Sequence, residues 1–363
     1  MAEQHDDNDC RVGPAGAATP RDAGAGTPLT RRGLLRRITG GALALGLGGS
    51  ASTLLTGCSS GGTFPLPQAT PLPGSRLLVS TFLQGTVEAF DSATGAAVGT
   101  FAPSRGQQFT TAGIIPGPGD DLFVFSPGGN AVFRYDKNTG QAEGTLAEPA
   151  KGLTTPHSGV IGPDGLLYVV NAPSLDGNVG RGTDGIEQYN PATGAYLGRF
   201  ADISSPFGIT FGPDGDLYVS STLAYSPVTP NSDYISRFDG NSGTFLGVAV
   251  RDIKVPFTMA WHPSGDLLVV QHFDGRVDRY DVNSRTLVGT FLQVPFPVGI
   301  AYGPDGDLYV AQFTTPDRFQ ALMNNDVIGA LGGGKVLQYD GTSGALKRTL
   351  IDNLPFAGYL AFV

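Results

Sequence analysis

Between residues 76 and 363 the apolar positions fall in short runs, each bounded by Gly, Pro, Asp or Asn. RLLVST (76–81), PFGITF (206–211), DLYVSS (216–221), YISRFD (234–239) and TFLGVAV (244–250) are rich in β-branched and aromatic residues. Such runs between turn signals predict strands. The punctuation itself repeats. GPDGDLYV stands at 212–219 and again at 303–310, with GPGDDLFV (117–124), GPDGLLYV (162–169) and HPSGDLLV (262–269) as variants. A second signal follows each: an alternating run ending in an aromatic residue, then a turn headed by Asp or Asn. These turns are DSATG (91–95), DKNTG (136–140), NPATG (190–194), DGNSG (239–243), DVNSR (281–285) and DGTSG (340–344). A leading Asp or Asn bonds backbone N–H groups two residues on, and a closing Gly supplies positive φ. Arg285 breaks the pattern, which predicts local strain or another turn there.

Each unit thus reads as four strands. Strand A follows a Pro, the GPDG turn leads to strand B, strand C ends at the Asp turn, and strand D follows it. Six units of about 48 residues fill 76–363, a period that fits a β-propeller. The first unit begins directly at strand B. The stretch PFAGYLAFV (355–363) matches strand A. An all-β, six-bladed propeller is therefore expected, closed by the C-terminal strand completing the first blade, so that no sheet edge is left between the ends. GPDGDLYV and RFDGNSG resemble the motifs of NHL-repeat and SMP-30/gluconolactonase-like six-bladed propellers. The resemblance covers 76–363 and is informative for fold rather than for function.

Composition agrees with many short strands: 54 Gly, 27 Pro and 15% charged residues. A net charge of −9 and the lack of a Lys/Arg cluster after residue 37 argue against a nucleic-acid partner. Both cysteines, Cys10 and Cys58, precede the repeats, so no disulfide framework is expected in the domain. Residues 1–57 read differently. Arg31 and Arg32 precede a mildly apolar, Gly-rich stretch that ends in LTGC (55–58). This resembles a twin-arginine-type lipoprotein signal peptide. The resemblance implies cleavage before Cys58 and lipid attachment to it. Residues 58–75 then form a Gly/Ser/Pro-rich tether. The expected location is outside the bacterial cytoplasm, on the cytoplasmic membrane's outer side or on the outer membrane.

In a propeller the A–B and C–D turns share one face, here called the bottom, so the GPDG and Asp-turn carboxylates read as turn chemistry. The top face holds the candidate site. The last residues of the B strands form a neutral polar set: Thr81, Ser126, Asn171, Ser221, Gln271 and Gln312. Their register places them around the upper channel mouth, as a solvated rim or as contacts for a polar ligand. After the Pro position of strand A come Ala112, His157, Phe207, Phe257, Val298 and Phe356, and then the small Gly113, Ser158, Gly208, Thr258, Gly299 and Ala357. Small side chains there let the inner strands crowd. Phe207 and Phe257 read as core or as an apolar lip, and His157 and His272 as possible ligand contacts, with His157 the one acid/base candidate. His262 belongs to the bottom. Long B–C loops at 172–185, 222–233 and 313–334 carry Asp176, Arg181, Asp184, Tyr225, Asp233, Asp317, Arg318 and Asp326. PDRFQALMNNDVIGAL within the last suggests a helical lid.

Two functions follow as expectations. The first is a membrane-tethered ligand-binding or protein-interaction module, with no cofactor. The alternative is a lactone hydrolase using a divalent cation such as Ca²⁺, as the gluconolactonase-like resemblance implies, with a streptogramin-lyase-like lyase behind it. The polar set lacks carboxylates, which a hard cation prefers. No G-x-S-x-G elbow or domain cysteine offers a nucleophile.

Overall fold

Strand B is apolar nearly throughout, whereas strand D alternates weakly, and that gradient sets the blade. The computed structural model describes residues 75–105, 110–148, 153–172, 184–222, 233–324 and 326–363. Arg31, Arg32 and Cys58 lie outside the described residues. Six four-stranded antiparallel sheets stand around a common axis. In blade four the strands run outward as Pro206–Phe211, Leu217–Ser221, Asp233–Phe238 and Phe245–Ile253. Leu217–Ser221 is buried throughout, while Phe245–Ile253 begins exposed. Strand B lies between neighbouring blades and strand D forms the wall. Burying one Leu or Phe contributes about 1.5–3 kcal/mol. The core is therefore distributed between blades. One cluster joins Tyr168, Val170 and Ile186 of blade three to Leu217, Val219 and Phe238 of blade four.

Blade one takes its inner strand, Ala357–Phe362, from the far end of the chain. That strand pairs antiparallel with Arg76–Thr81, and Thr86–Asp91 and Ala97–Ala102 complete the sheet. The ring is closed by hydrogen bonds, as expected. Blade two departs from the pattern. Its inner strand is only Ile114–Pro116, and no Pro precedes it.

The octapeptide has a physical reason to recur. In GPDG the Asp carboxylate accepts a backbone N–H two residues on and the hydroxyl of a Tyr four residues on. The hydroxyl contacts are Tyr168–Asp164 at 2.9 Å, Tyr218–Asp214 at 2.8 Å and Tyr309–Asp305 at 2.8 Å. The three Tyr are nearly inaccessible, so each needs a partner for its buried hydroxyl. In the C–D turns the leading carboxylate does similar work. Asp239 accepts from the N–H groups of Asn241 and Ser242. Hydrogen bonds of this kind hold Asp91, Asp239, Asp281 and Asp340 below the usual carboxylate range.

In blades two to six the axis is packed as the small residues require; blade one is offset, because Thr81 pairs with Ala357 where Ser221 pairs with Pro206, so Phe356 (φ +50°) stands before the Pro position and Tyr359 rather than Ala357 takes the axial one. A Cβ on Gly208 would lie 2.1 Å from the Phe257 carbonyl oxygen, and one on Gly299 2.4 Å from that of Gly358. Where a hydroxyl replaces the hydrogen, it bonds the next blade: Ser158 Oγ donates to the Phe207 carbonyl at 2.7 Å, and Thr258 Oγ1 donates to the Val298 carbonyl at 2.5 Å. The 313–334 loop folds into helix α1 (Pro316–Met323) and the single turn α2 (Val327–Ala330). No helix among the described residues is long and apolar enough to cross a membrane.

Candidate functional site

The six polar residues do close the six B strands, each as the last residue of its strand. They are buried: Thr81, Asn171 and Ser221 are 0% exposed, Gln271 1%, Ser126 2% and Gln312 6%. Their polar atoms face the chain. Four of them hold the segment that enters strand A at the same point. Ser126 Oγ donates to the Thr110 carbonyl at 2.8 Å, and Ser221 Oγ donates to the Ser204 carbonyl. Asn171 Oδ1 accepts from Thr154 N at 2.8 Å and from Thr154 Oγ1 at 2.9 Å, and Gln271 Oε1 accepts from Lys254 N at 3.3 Å. Thr81 Oγ1 lies 2.6 Å from Thr86 Oγ1, and Gln312 Nε2 donates to the Thr314 carbonyl at 3.0 Å. In blades two to five the set thus clamps the segment that enters strand A, and in blades one and six it braces the B–C connection.

Carboxylates that the polar set appeared to lack stand directly behind it on strand C. Asn171 Nδ2 donates to Glu187 at 3.2 Å, and Gln271 Nε2 donates to Asp278. Both acids are 1% exposed and each meets an arginine: Arg199 to Glu187 at 2.6 Å and Arg276 to Asp278 at 2.8 Å. Reading along strand B alone missed them. The alternation of strand C, one strand outward, carries the signal.

The connection clamped by the polar set is strained. Ser205, Val255 and Phe296, each preceding a Pro, have φ of +50°, +47° and +47°. This left-handed region is costly for a β-branched Val. Two acids from the long loops hold it. Asp184 Oδ2 accepts from Ser205 N at 3.0 Å and Asp233 Oδ2 from Val255 N at 2.7 Å. The residue after each polar one closes the frame: Thr222 N donates to the Ser205 carbonyl, His272 N to that of Val255 and Phe313 N to that of Phe296. Asp176, Arg181 and Tyr225 lie outside the described residues.

A bulge between the Pro and the end of the axial crowding interrupts the pairing of strands A and B in blades three to six. A bulge re-aims side chains. Here the residues after the Pro form a continuous stack of rings. His157 lies on Phe207 at 4.6 Å, Phe207 on Phe257 at 4.3 Å and 7°, and Phe257 on His272 at 4.6 Å. The stack spans blades three, four and five. The two imidazoles stand at its ends with two phenyl rings between them, so they do not share a metal ion. Among the described residues no three His, Cys, Asp or Glu side chains cluster as a metal site. His262 is on the bottom, with Nε2 3.1 Å from the Thr342 carbonyl.

Helix α1 closes the stack over blades five and six. Its Phe319 stacks on Phe296 at 4.3 Å, and both approach His272, as do Phe273 and Phe313. Burial in this apolar box pushes the His272 imidazole down to about 4, opposed in part by the Pro297 carbonyl. That carbonyl accepts from Nδ1–H at 3.1 Å. His272 is thus a neutral imidazole at pH 7.

No family model matches the chain, and no curated protein matches it. Solved structures do. One is a protein of unknown function from Bacteroides caccae, 16% identical, with a TM-score of 0.59 over 80% of this chain and 99% of that one. Another is a chain of a nidogen/laminin complex, 13% identical, with a TM-score of 0.57 over 80% and 98%. A catalytically inactive virginiamycin B lyase from Staphylococcus aureus with quinupristin is 16% identical over 67% and 70%, at a TM-score of 0.43. At these identities the likeness is one of fold: this chain is a six-bladed β-propeller.

Proposed function

We propose that the protein is a ligand-binding or protein-interaction module that works through its top face, held at a membrane by a lipid on Cys58 after twin-arginine-type export. One observation carries the reading: the three connections that are long in sequence, 172–185, 222–233 and 313–334, all leave from the same end of strand B in a closed six-bladed ring. A scaffold of this kind positions variable loops without moving itself. A fold neighbour solved within a protein–protein complex fits an interaction role. The Phe207–Phe257 stack, with His157 and His272 at its ends, forms the buried apolar layer of that face, and Asn171, Gln271 and the other clamp residues hold the strand ends around it.

The divalent-cation lactonase is the weaker reading. Glu187 and Asp278 are the carboxylates nearest to the polar set, and Arg199 and Arg276 neutralise them. Thermal unfolding of the chelator-treated protein, with Ca²⁺, Mg²⁺ or Zn²⁺ then added singly, separates the two. A saturable rise with one cation favours the hydrolase, because a ligand that binds only the folded state raises stability by mass action. The module reading expects no such rise, and it expects substitutions at Asp317 and Arg318 to weaken capture of a partner in small steps. Cys58→Ser is expected to move the protein from the membrane fraction to the soluble fraction; unchanged membrane retention would remove the lipid anchor from the proposal.

A further inference from the structure

At five of the six blade junctions the lower wall is sealed in one way. The Gly that closes each C–D turn lies against strand D of the preceding blade. A Cβ on Gly95, Gly140, Gly194, Gly243 or Gly344 would lie 2.0, 2.6, 2.5, 2.0 or 2.8 Å from a carbonyl oxygen. Those carbonyls belong to Leu350, Phe101, Leu146, Phe200 and Phe291, respectively. The side chain of the same Leu or Phe covers the glycine, 3.1–3.5 Å from where the Cβ would stand.

The junction of blades four and five departs from this at both members. The turn ends in Arg285, which keeps the left-handed backbone at φ +59°. Six residues beyond the end of the C–D turn, where the other blades have Phe or Leu, blade four has Ala249. A small side chain replaces the large one, and a long charged one replaces the hydrogen. A cleft of about 380 Å³ lies between the two blades, lined by Ala249, Arg251, Arg276, Asp278, Tyr280 and Arg285 among others. Its volume falls within the range of small-molecule sites, about 300–1,000 Å³.

The arginines of the cleft are not equally engaged. Arg276 is neutralised by Asp274 at 3.1 Å and Asp278 at 2.8 Å. Asp278 also accepts from Thr290 at 2.7 Å. Arg251 and Arg285 are exposed and take part in no ion pair among the described residues. Against these two stands one exposed carboxylate in the lining, Asp252. Arg251 and Arg285 are therefore two exposed guanidinium groups that no carboxylate engages among the described residues, on a chain of net charge −9. Guanidinium groups present paired donors that match carboxylate and phosphate oxygens.

We propose that this cleft is a binding site for a small anion, whose carboxylate or phosphate is taken by Arg251 and Arg285. It opens on the side wall and shares the Arg276–Asp278 pair with the back of the polar set, but Arg251 and Arg285 take no part in the function proposed for the top face, so the two stand or fall separately. The test is calorimetric titration of the full-length protein at low salt with glucuronate, glucose 6-phosphate and inorganic phosphate, and with glucose as the neutral control. At least one anion is expected to bind saturably, and glucose at least tenfold more weakly. Arg285→Gly restores the residue found at the other five junctions, so it keeps the fold, which thermal unfolding verifies. Arg285→Gly and Arg251→Ala are each expected to weaken binding about tenfold or more, and Arg285→Lys less. Preference for glucuronate identifies a carboxylate ligand; preference for either phosphate probe identifies a phosphate. Saturable binding by none of the three anions, or binding that both substitutions leave unchanged, overturns the proposal.

Discussion

Asn171 shows how one side chain can look like a ligand contact and serve as a clamp. It is neutral, polar and placed at a strand end, which is all that the sequence displays. Its partners, Thr154 in the connection before strand A and Glu187 on strand C, lie elsewhere in the chain, and nothing in the local pattern announces them. Asn171→Ala leaves a backbone N–H, a hydroxyl and a carboxylate short of a partner, and is expected to cost about 2–3 kcal/mol. Ser221→Ala removes one donor and is expected to cost about 1 kcal/mol. Urea unfolding of both variants checks the order. His272 makes a second prediction at this scale. Its folded-state value of about 4 lies below the ordinary histidine value of 6.5. As pH falls below about 6.5 the unfolded chain takes up a proton that the folded chain refuses, so stability drops until about pH 4 and then levels. The shift corresponds to about 3 kcal/mol. His272→Phe keeps an aromatic ring in the stack and is expected to flatten the native protein's loss of stability between pH 6.5 and 4, measured by urea unfolding across that range. An equal loss in both proteins would contradict the assignment.

At the level of strands and turns, the GPDG and Asp-headed signals were legible because each acts within a few residues. The clustering of small residues after the Pro was legible too, and the close approach of Gly208 to the Phe257 carbonyl gives its cause. The bulges in strand A were not. A Pro-aromatic-small sequence reads as ordinary strand, and only the neighbouring blade's carbonyl decides how it bends. The left-handed Val255 was invisible for a similar reason: Asp233, which holds its N–H, lies 22 residues earlier. Turn glycines provide a contrast that tests the wall. Gly215 (φ +84°) has open space where a Cβ would go, so Gly215→Ala is expected to cost only the left-handed strain, about 1–2 kcal/mol. Gly243 (φ +69°) adds the Phe200 carbonyl at 2.0 Å, so Gly243→Ala must also displace a strand and is expected to cost at least about 1 kcal/mol more. Thermal unfolding of the pair measures the difference.

For the whole molecule, blade number and closure followed from counting, since every unit contributes one turn of each kind. What counting could not give is which face side chains choose at the top, and there the ring turned its polar set inward to hold itself together. Closure makes one more prediction. Deleting residues 357–363 strips Arg76–Thr81 of its inner partner and opens the buried row Leu77, Leu78 and Val79. The truncated chain is expected to lose cooperative unfolding and to aggregate, as read by urea titration and size-exclusion chromatography. The same pairing has a consequence in time. Arg76–Thr81 emerges from the ribosome long before Ala357–Phe362 exists, a lag of roughly 14–55 s at about 5–20 residues per second. Throughout that interval the first blade to be synthesised has an open, adhesive inner margin. It is the first blade to appear and the last to be finished. Whatever shelters a nascent chain of this plan has to shelter its beginning until its end has been made.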